Sequence, residues 1–187
     1  MTEPDIGRLT FRKYIGHDPS REELAAVMAS RLRYLPKLVA ESKAFRVLPG
    51  VEETLERLST AGYLLGITTG GMEAAAHIKL ARANLNHYFC FGGYGSDSAD
   101  RVGLTRRALE RASTLLGEPL EPQETLVIGD TPHDVEAAHG VGAPAVGVAT
   151  GHFDKAELGK AGADYVLGTL EEELPLGRRW SASPRGG

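Results

Sequence analysis

From residue 51 onwards, short uninterrupted apolar runs alternate with segments of helical period, and this alternation limits the fold more than any other feature of the chain. The predicted order begins with a helix over residues 51–61 closed by Gly62, a strand over 63–69, a helix over 72–83 and a strand over 87–92. A helix over 104–116, a strand over 125–128, a helix over 132–141 and a strand over 145–149 follow. The series ends with a helix over 154–161 and a short strand over 165–167. A strand with one wet face alternates apolar and polar residues. Strands that are apolar throughout and separated by helices belong instead to a parallel sheet covered on both faces. The expected fold is therefore α/β, a three-layer Rossmann-like parallel sheet, in which ligands sit beyond the carboxyl ends of the strands.

Residues 1–48 have a different texture. Ser20, followed by Glu22 and Glu23, reads as a helix N-cap with acids in the first turn. Leu24, Val27, Met28, Leu32, Leu35, Leu38 and Val39 then recur at steps of three and four, which makes one apolar helix face. Pro36 is expected to kink or end that helix. No buried strand is visible in this stretch, so the chain divides into a helical region over 1–48, an α/β core over 49–175 and a tail over 176–187. The tail is polar and aperiodic, and disorder is expected there.

With 187 residues, 42% hydrophobic and 25% charged, the chain has the make-up of one soluble globular domain. Its 21 basic and 25 acidic residues leave a net charge of −4, so no positive field exists to hold nucleic acid or an anionic membrane. No apolar run approaches the ~20 residues of a transmembrane helix, and the N-terminus has no signal-peptide stretch. The single cysteine, Cys90, lies in the apolar run 87–91. It has no internal disulfide partner and is expected to be a small buried hydrophobe. A cytoplasmic location is the expectation.

The strongest local pattern is Thr-Leu-Val-Ile-Gly-Asp-Thr-Pro-His-Asp at 125–134. It places Asp130 at the carboxyl end of a buried strand and Asp134 in the first turn of the next helix. Two carboxylates on one cleft suit Mg²⁺, which takes one or two of them together with water and phosphate oxygens. Helix capping by Thr131, Pro132 and Asp134 explains part of the same pattern, but it leaves Asp130 unexplained. A second strand end, Leu-Gly-Ile-Thr-Thr-Gly-Gly at 65–71, brings the Thr69 hydroxyl and the Gly70 backbone to a helix start. Such a turn cradles phosphate oxygens, or is merely a turn with threonine as N-cap. Arg101, after the glycine-rich acidic stretch 92–100, could neutralise a phosphate or pair at the surface with Asp97 or Asp100. No dinucleotide fingerprint, nucleophile elbow, phosphate-binding Walker loop or zinc spacing is present.

Taken together, in this order, these segments resemble the haloacid dehalogenase superfamily, in its phosphoglycolate-phosphatase-like branch. The 65–70 segment resembles the family's second motif, which implies that Thr69, with Gly70, binds the transferring phosphoryl group. Asp100-Arg101 stands where the third motif has its lysine or arginine, so the resemblance gives Arg101 to phosphate binding. Gly-Asp-Thr-Pro-His-Asp at 129–134 is similar to the fourth motif, whose acids hold Mg²⁺, here Asp130 and Asp134. Leu-Pro-Gly-Val at 48–51 looks like the return from a helical cap into the core, and 1–48 like the later part of that cap.

The resemblance implies a Mg²⁺-dependent phosphomonoester hydrolase that acts on a small phosphorylated metabolite through a phosphoaspartyl intermediate. The family's first motif, a buried strand ending in Asp-x-Asp, is absent from the 187 residues. The expectation is therefore an N-terminally truncated chain with no nucleophile of its own, inactive alone. In the family that strand is the centre of the sheet, between the strands ending at Thr69 and Asp130. Its absence is expected to make the chain unstable or sticky. The alternative is a non-catalytic relative that binds a phosphorylated ligand or a protein. A phosphorelay receiver, also built on strand-end aspartates, fits the chain order less well.

Overall fold

The structure is a computed structural model, and it describes residues 2–176. The tail expected to be disordered, from 177 onwards, lies outside the described residues.

Two helices come first, α1 (Glu3–Ile15) and α2 (Arg21–Glu41). They pack closely at Gly7, where a Cβ would overlap the Met28 side chain. Ser20 caps α2 as predicted: its Oγ accepts the Glu23 N–H at 3.1 Å, and Glu23 accepts the Ser20 N–H at 2.8 Å. α2 does not end at Pro36 but runs through it to Glu41. The turn beyond the proline is held from outside, because Arg82 donates to the Val39 carbonyl and lies 4.4 Å over the Phe45 ring. Of the predicted apolar face, Met28 and Leu35 are buried whereas Leu38 is exposed.

The core opens with α3 (Val51–Thr60), entered through Gly50 at φ +75° and left through Gly62 at φ +83°. At both positions the left-handed backbone favours glycine. β1 (Gly66–Thr69), α4 (Glu73–Arg82), β2 (Phe91–Tyr94) and α5 (Arg101–Leu116) follow. After them come β3 (Val127–Gly129), α6 (Pro132–Val141), β4 (Ala145–Val148), α7 (Lys155–Lys160) and β5 (Tyr165–Leu167). One core cluster joins Leu58 of α3 to Val146, Val148 and Leu167, and a second joins Val135 and Ala138 of α6 to Val127 and Ala145. The sheet is thus covered on both faces, as the continuous apolar strands required.

Two expectations need correction here. The strand predicted over 87–92 lies over 91–94 instead, and Asn86–Tyr88 is a single 3₁₀ turn. The Asn86 side chain pins that turn by bonding the His77 ring and the His77 carbonyl, each at 3.0 Å. Gly93, which lay beyond the predicted strand, belongs to β2, and α5 crosses it closely there: a Cβ at Gly93 would overlap the Leu104 carbonyl. Cys90, expected to be buried, is exposed, since it precedes the outer strand β2, which has a neighbour on one side only.

A Gly93→Ala substitution forces the α5 backbone away from β2, and overpacking of this kind costs about 1–3 kcal/mol or more. The expected result is an unfolding free energy in urea titration lowered by that amount, whereas Gly159→Ala, where the added Cβ meets nothing within 4 Å, keeps it or raises it slightly.

The sheet is in two pieces. β1 and β2 pair in parallel with Thr69 opposite Tyr94, and β3, β4 and β5 form a separate parallel set in that order. No ladder joins either strand of the first piece to a strand of the second. Ile128, in the middle of β3, is 36% exposed, whereas Val146 in the neighbouring β4 is 1% exposed. An apolar residue at the centre of a covered sheet has no other reason to be open to water. The pieces are joined by helices: α5 lies on β1 and β2, α6 lies on β3 and β4, and the two helices pack on each other. Gly140 allows that contact, since a Cβ there would crowd the Val102 side chain.

Asp164 fastens the second piece. Its Oδ2 accepts the Ala145 N–H at 2.8 Å and meets His139 Nε2 at 3.0 Å. The Ala145 N–H, and then the His139 ring, hold this carboxyl below its ordinary value near 3.8. A lowered acid stabilises the fold fully above its unfolded value and loses that contribution as pH falls through the folded one. Asp164→Asn should therefore flatten the acid limb of stability below about pH 4. Chemical denaturation from pH 5 to pH 2 measures this, and parallel profiles for the two proteins would refute it.

Candidate active site

The connections that leave β1, β2 and β3 at their carboxyl ends meet one another. After β1, the turn Thr69-Gly70-Gly71 folds on itself, the Gly71 N–H donating to Thr69 Oγ1 at 3.1 Å. The Gly71 carbonyl then accepts the Gly95 N–H from the loop after β2, at 2.8 Å. That loop leads into α5, which Asp100 caps by accepting the Gly103 N–H at 2.9 Å. Arg101, the first residue of α5, reaches the connection after β3: its Nη1 donates to Asp134 Oδ1 at 2.6 Å. Thr69, Gly70, Arg101, Asp130 and Asp134 thus belong to one continuous set of strand-end connections.

Neither of the surface pairings considered for Arg101 is formed. Asp97 is taken by Arg111 and Asp100 by its capping role. The Arg101 side chain is 31% exposed and that of Asp134 12%, so the pair is partly buried rather than in open solvent. Asp134 has both oxygens engaged, Oδ1 with Arg101 and Oδ2 with the Thr131 N–H at 3.1 Å and hydroxyl at 2.7 Å. The capping box and the charged contact, alternatives in the sequence, coexist in the structure. They use opposite oxygens of one carboxylate.

Asp130 differs. It stands directly after β3, exposed, and its carboxyl lies against Gly151 after β4, where a Cβ would overlap Oδ2. It accepts no hydrogen bond and forms no ion pair among the described residues. A carboxylate fixed by the strand before it and left free of protein donors is suited to a hard cation. No group of three His, Cys, Asp or Glu side chains converges among the described residues. The donor set therefore fits a Mg²⁺ ion that takes one carboxylate here and fills its other positions with water and ligand oxygens.

One residue of this region was missed by reading the sequence. Glu3, at the start of α1, is buried, and its Oε2 accepts the Met72 N–H at 2.8 Å. Met72 is the N-cap of α4, so the helix after the Thr69 turn is capped by a side chain from the other end of the sequence. Nothing local to 65–72 signals this. Glu3 by itself reads only as an acid in a first helical turn.

Comparison with known proteins decides the family. The family model described as haloacid dehalogenase-like hydrolase matches residues 7–148. The chain belongs to this family. A phosphoglycolate phosphatase from Salmonella choleraesuis is 28% identical over 175 residues, which cover 90% of this chain and 67% of that protein. A haloacid dehalogenase family phosphatase from Thermococcus onnurineus is 30% identical with a TM-score of 0.60, over 88% of this chain and 67% of that one. The structure of CbbY from Rhodobacter sphaeroides, solved with xylulose-1,5-bisphosphate, superposes with a TM-score of 0.70 over 89% of this chain and 74% of that one. At 19% identity the CbbY likeness shows the fold alone. This haloacid dehalogenase-like chain is of the phosphatase type. No helix among the described residues is long and apolar enough to cross a membrane.

Proposed function

We propose that this chain carries the phosphate- and metal-binding half of a Mg²⁺-dependent phosphomonoester hydrolase for a small phosphorylated metabolite, working in the cytoplasm. The nucleophilic aspartate comes from a strand that is not among these 187 residues. The observation that carries this reading is the break in the sheet. β1 and β3 share no ladder, and the residues at their carboxyl ends are Thr69 and Asp130 respectively. A parallel strand between them would deliver its last residues into the space those side chains border. No Asp-x-Asp occurs anywhere in the sequence, so the attacking carboxylate has to arrive with that strand.

Each residue then has a defined task. Thr69 accepts the Gly71 N–H through its oxygen, which leaves its hydroxyl proton to donate to a phosphoryl oxygen. Arg101, held at the cleft by Asp134, meets the charge on the same group. Asp130 is the protein ligand for Mg²⁺, which supplies charge neutralisation when bound. Asp134 holds Arg101 and Thr131 and lies next to the metal position rather than at its centre. The region over 1–48, as a partial cap, closes the side of the cleft nearest Thr69.

Calorimetric titration of the chain with inorganic phosphate in the presence of Mg²⁺ tests this. Thr69→Ala should weaken phosphate binding about tenfold, the worth of one charge-assisted hydrogen bond. Equal affinity in both proteins would remove Thr69 from the site.

A further inference from the structure

Glu3 is more than a helix cap. Its two carboxylate oxygens have different partners: Oε2 takes the Met72 N–H at 2.8 Å and Oε1 takes Arg31 Nη2 of α2 at 2.7 Å. Its own backbone N–H donates to the Gly70 carbonyl at 2.7 Å. One residue therefore grips the turn after β1 at two points, the carbonyl of Gly70 and the amide of Met72. The carboxylate is 8% exposed at the side chain, and a charged group so enclosed persists only where it is paired and hydrogen-bonded.

We infer that Glu3, oriented by Arg31, is a positioning residue for the phosphate turn: it sets the conformation of Thr69-Gly70-Gly71 from the helical region, so that the turn is complete only when α1 is docked on it. This rests on the reading of Thr69 as a phosphate ligand. The physical reason is the geometry of the turn. Three consecutive residues, two of them glycines, have wide conformational freedom. Their internal restraint is the single Gly71 N–H to Thr69 Oγ1 bond. The Gly71 carbonyl and the Glu3 contacts supply the rest. Without Glu3, the Met72 amide loses its acceptor, Gly70 loses its donor's anchor, and the Thr69 hydroxyl is no longer fixed in direction. Misplacement of this kind weakens binding to a site whose own residues are all intact.

Three variants of the 187-residue chain test it: Glu3→Ala, Glu3→Gln and Thr69→Ala. The first readout needs no ligand. Amide hydrogen exchange at Met72 should speed up at least tenfold in Glu3→Ala and stay within about threefold of the parent in Glu3→Gln, whose amide oxygen still accepts the bond. Unchanged Met72 exchange in Glu3→Ala overturns the inference. The second readout is titration with inorganic phosphate and Mg²⁺. Glu3→Ala should bind about tenfold more weakly, with Glu3→Gln close to the parent. A merely structural role would lower thermal stability without separating these two variants in phosphate affinity. If Thr69→Ala weakens phosphate binding and Glu3→Ala does not, Glu3 has no positioning role and the functional reading stands. If Thr69→Ala leaves binding untouched, the functional reading fails and the positioning role falls with it.

Discussion

Addition of a synthetic apolar strand ending in Asp-x-Asp to the 187-residue chain should stabilise it by several degrees and switch on Mg²⁺-dependent hydrolysis of a small phosphomonoester. β1 and β3 have no ladder between them. Each backbone hydrogen bond gained there is worth about 1 kcal/mol net, and covering Ile128 adds about 1–2 kcal/mol. Ordering the peptide costs about 1–2 kcal/mol per residue for the backbone, and burial of its own apolar side chains returns about 1.5–3 kcal/mol each, so the expected surplus of a few kcal/mol comes from those side chains. For a chain of this size each kcal/mol moves the thermal midpoint by about 2–4 °C, which gives a shift of roughly 5–10 °C. A peptide with Asn in place of its first Asp should stabilise equally and give no hydrolysis. Stabilisation by both peptides with turnover by neither would favour a ligand-binding relative over a hydrolase. An unchanged midpoint with either peptide would mean that the break between β1 and β3 is not a strand site.

In the complemented protein, Asp130→Asn should lower hydrolysis by about 10³-fold, roughly 4 kcal/mol of transition-state stabilisation. It should also move the Mg²⁺ activation midpoint upward by tenfold or more. The substitution is unusually clean. Asp130 is exposed and accepts no hydrogen bond among the described residues, so stability should stay within about 0.5 kcal/mol of the parent. Asp134→Asn behaves in the opposite way. It weakens the Arg101 contact and the Thr131 cap at once, and capping losses alone run to about 1 kcal/mol. A Mg²⁺ titration alongside thermal melts of the two variants separates the residues. Activity of Asp130→Asn with unaltered Mg²⁺ dependence would refute its assignment.

The fold was largely legible because its signals are local. Strands that are apolar on both faces, glycines at helix ends such as Gly62, and the capping boxes at Ser20 and Thr131 each announce themselves within a few residues. The misplacement of β2 has a physical cause. Tyr88, Phe89 and Cys90 are apolar enough to look like a strand, while Gly93, read as loop, is in the strand where α5 needs its bareness. Pro36 misled for a similar reason, since the contacts from Arg82 that carry α2 past it come from a helix some 40 residues further on. At the candidate site, the strand-end positions of Thr69 and Asp130 could be read from pattern alone. The pairing of Arg101 with Asp134 could not, because it joins two connections 33 residues apart. Glu3 was invisible for the same reason, as its partner amide is 69 residues away.

The break between the two pieces of sheet also bears on how the chain reaches its native state. Each piece is assembled from consecutive strand–helix–strand units whose contacts lie close together in sequence, and such units form early because little loop entropy has to be overcome. What remains is the meeting of α5 with α6 at Val102 and Gly140, and the packing of Leu58 of α3 against β4 and β5. The rate-limiting step of folding therefore falls on the docking of two preassembled halves. Substitutions at Val102 should slow folding, whereas substitutions inside either half should act mainly on unfolding.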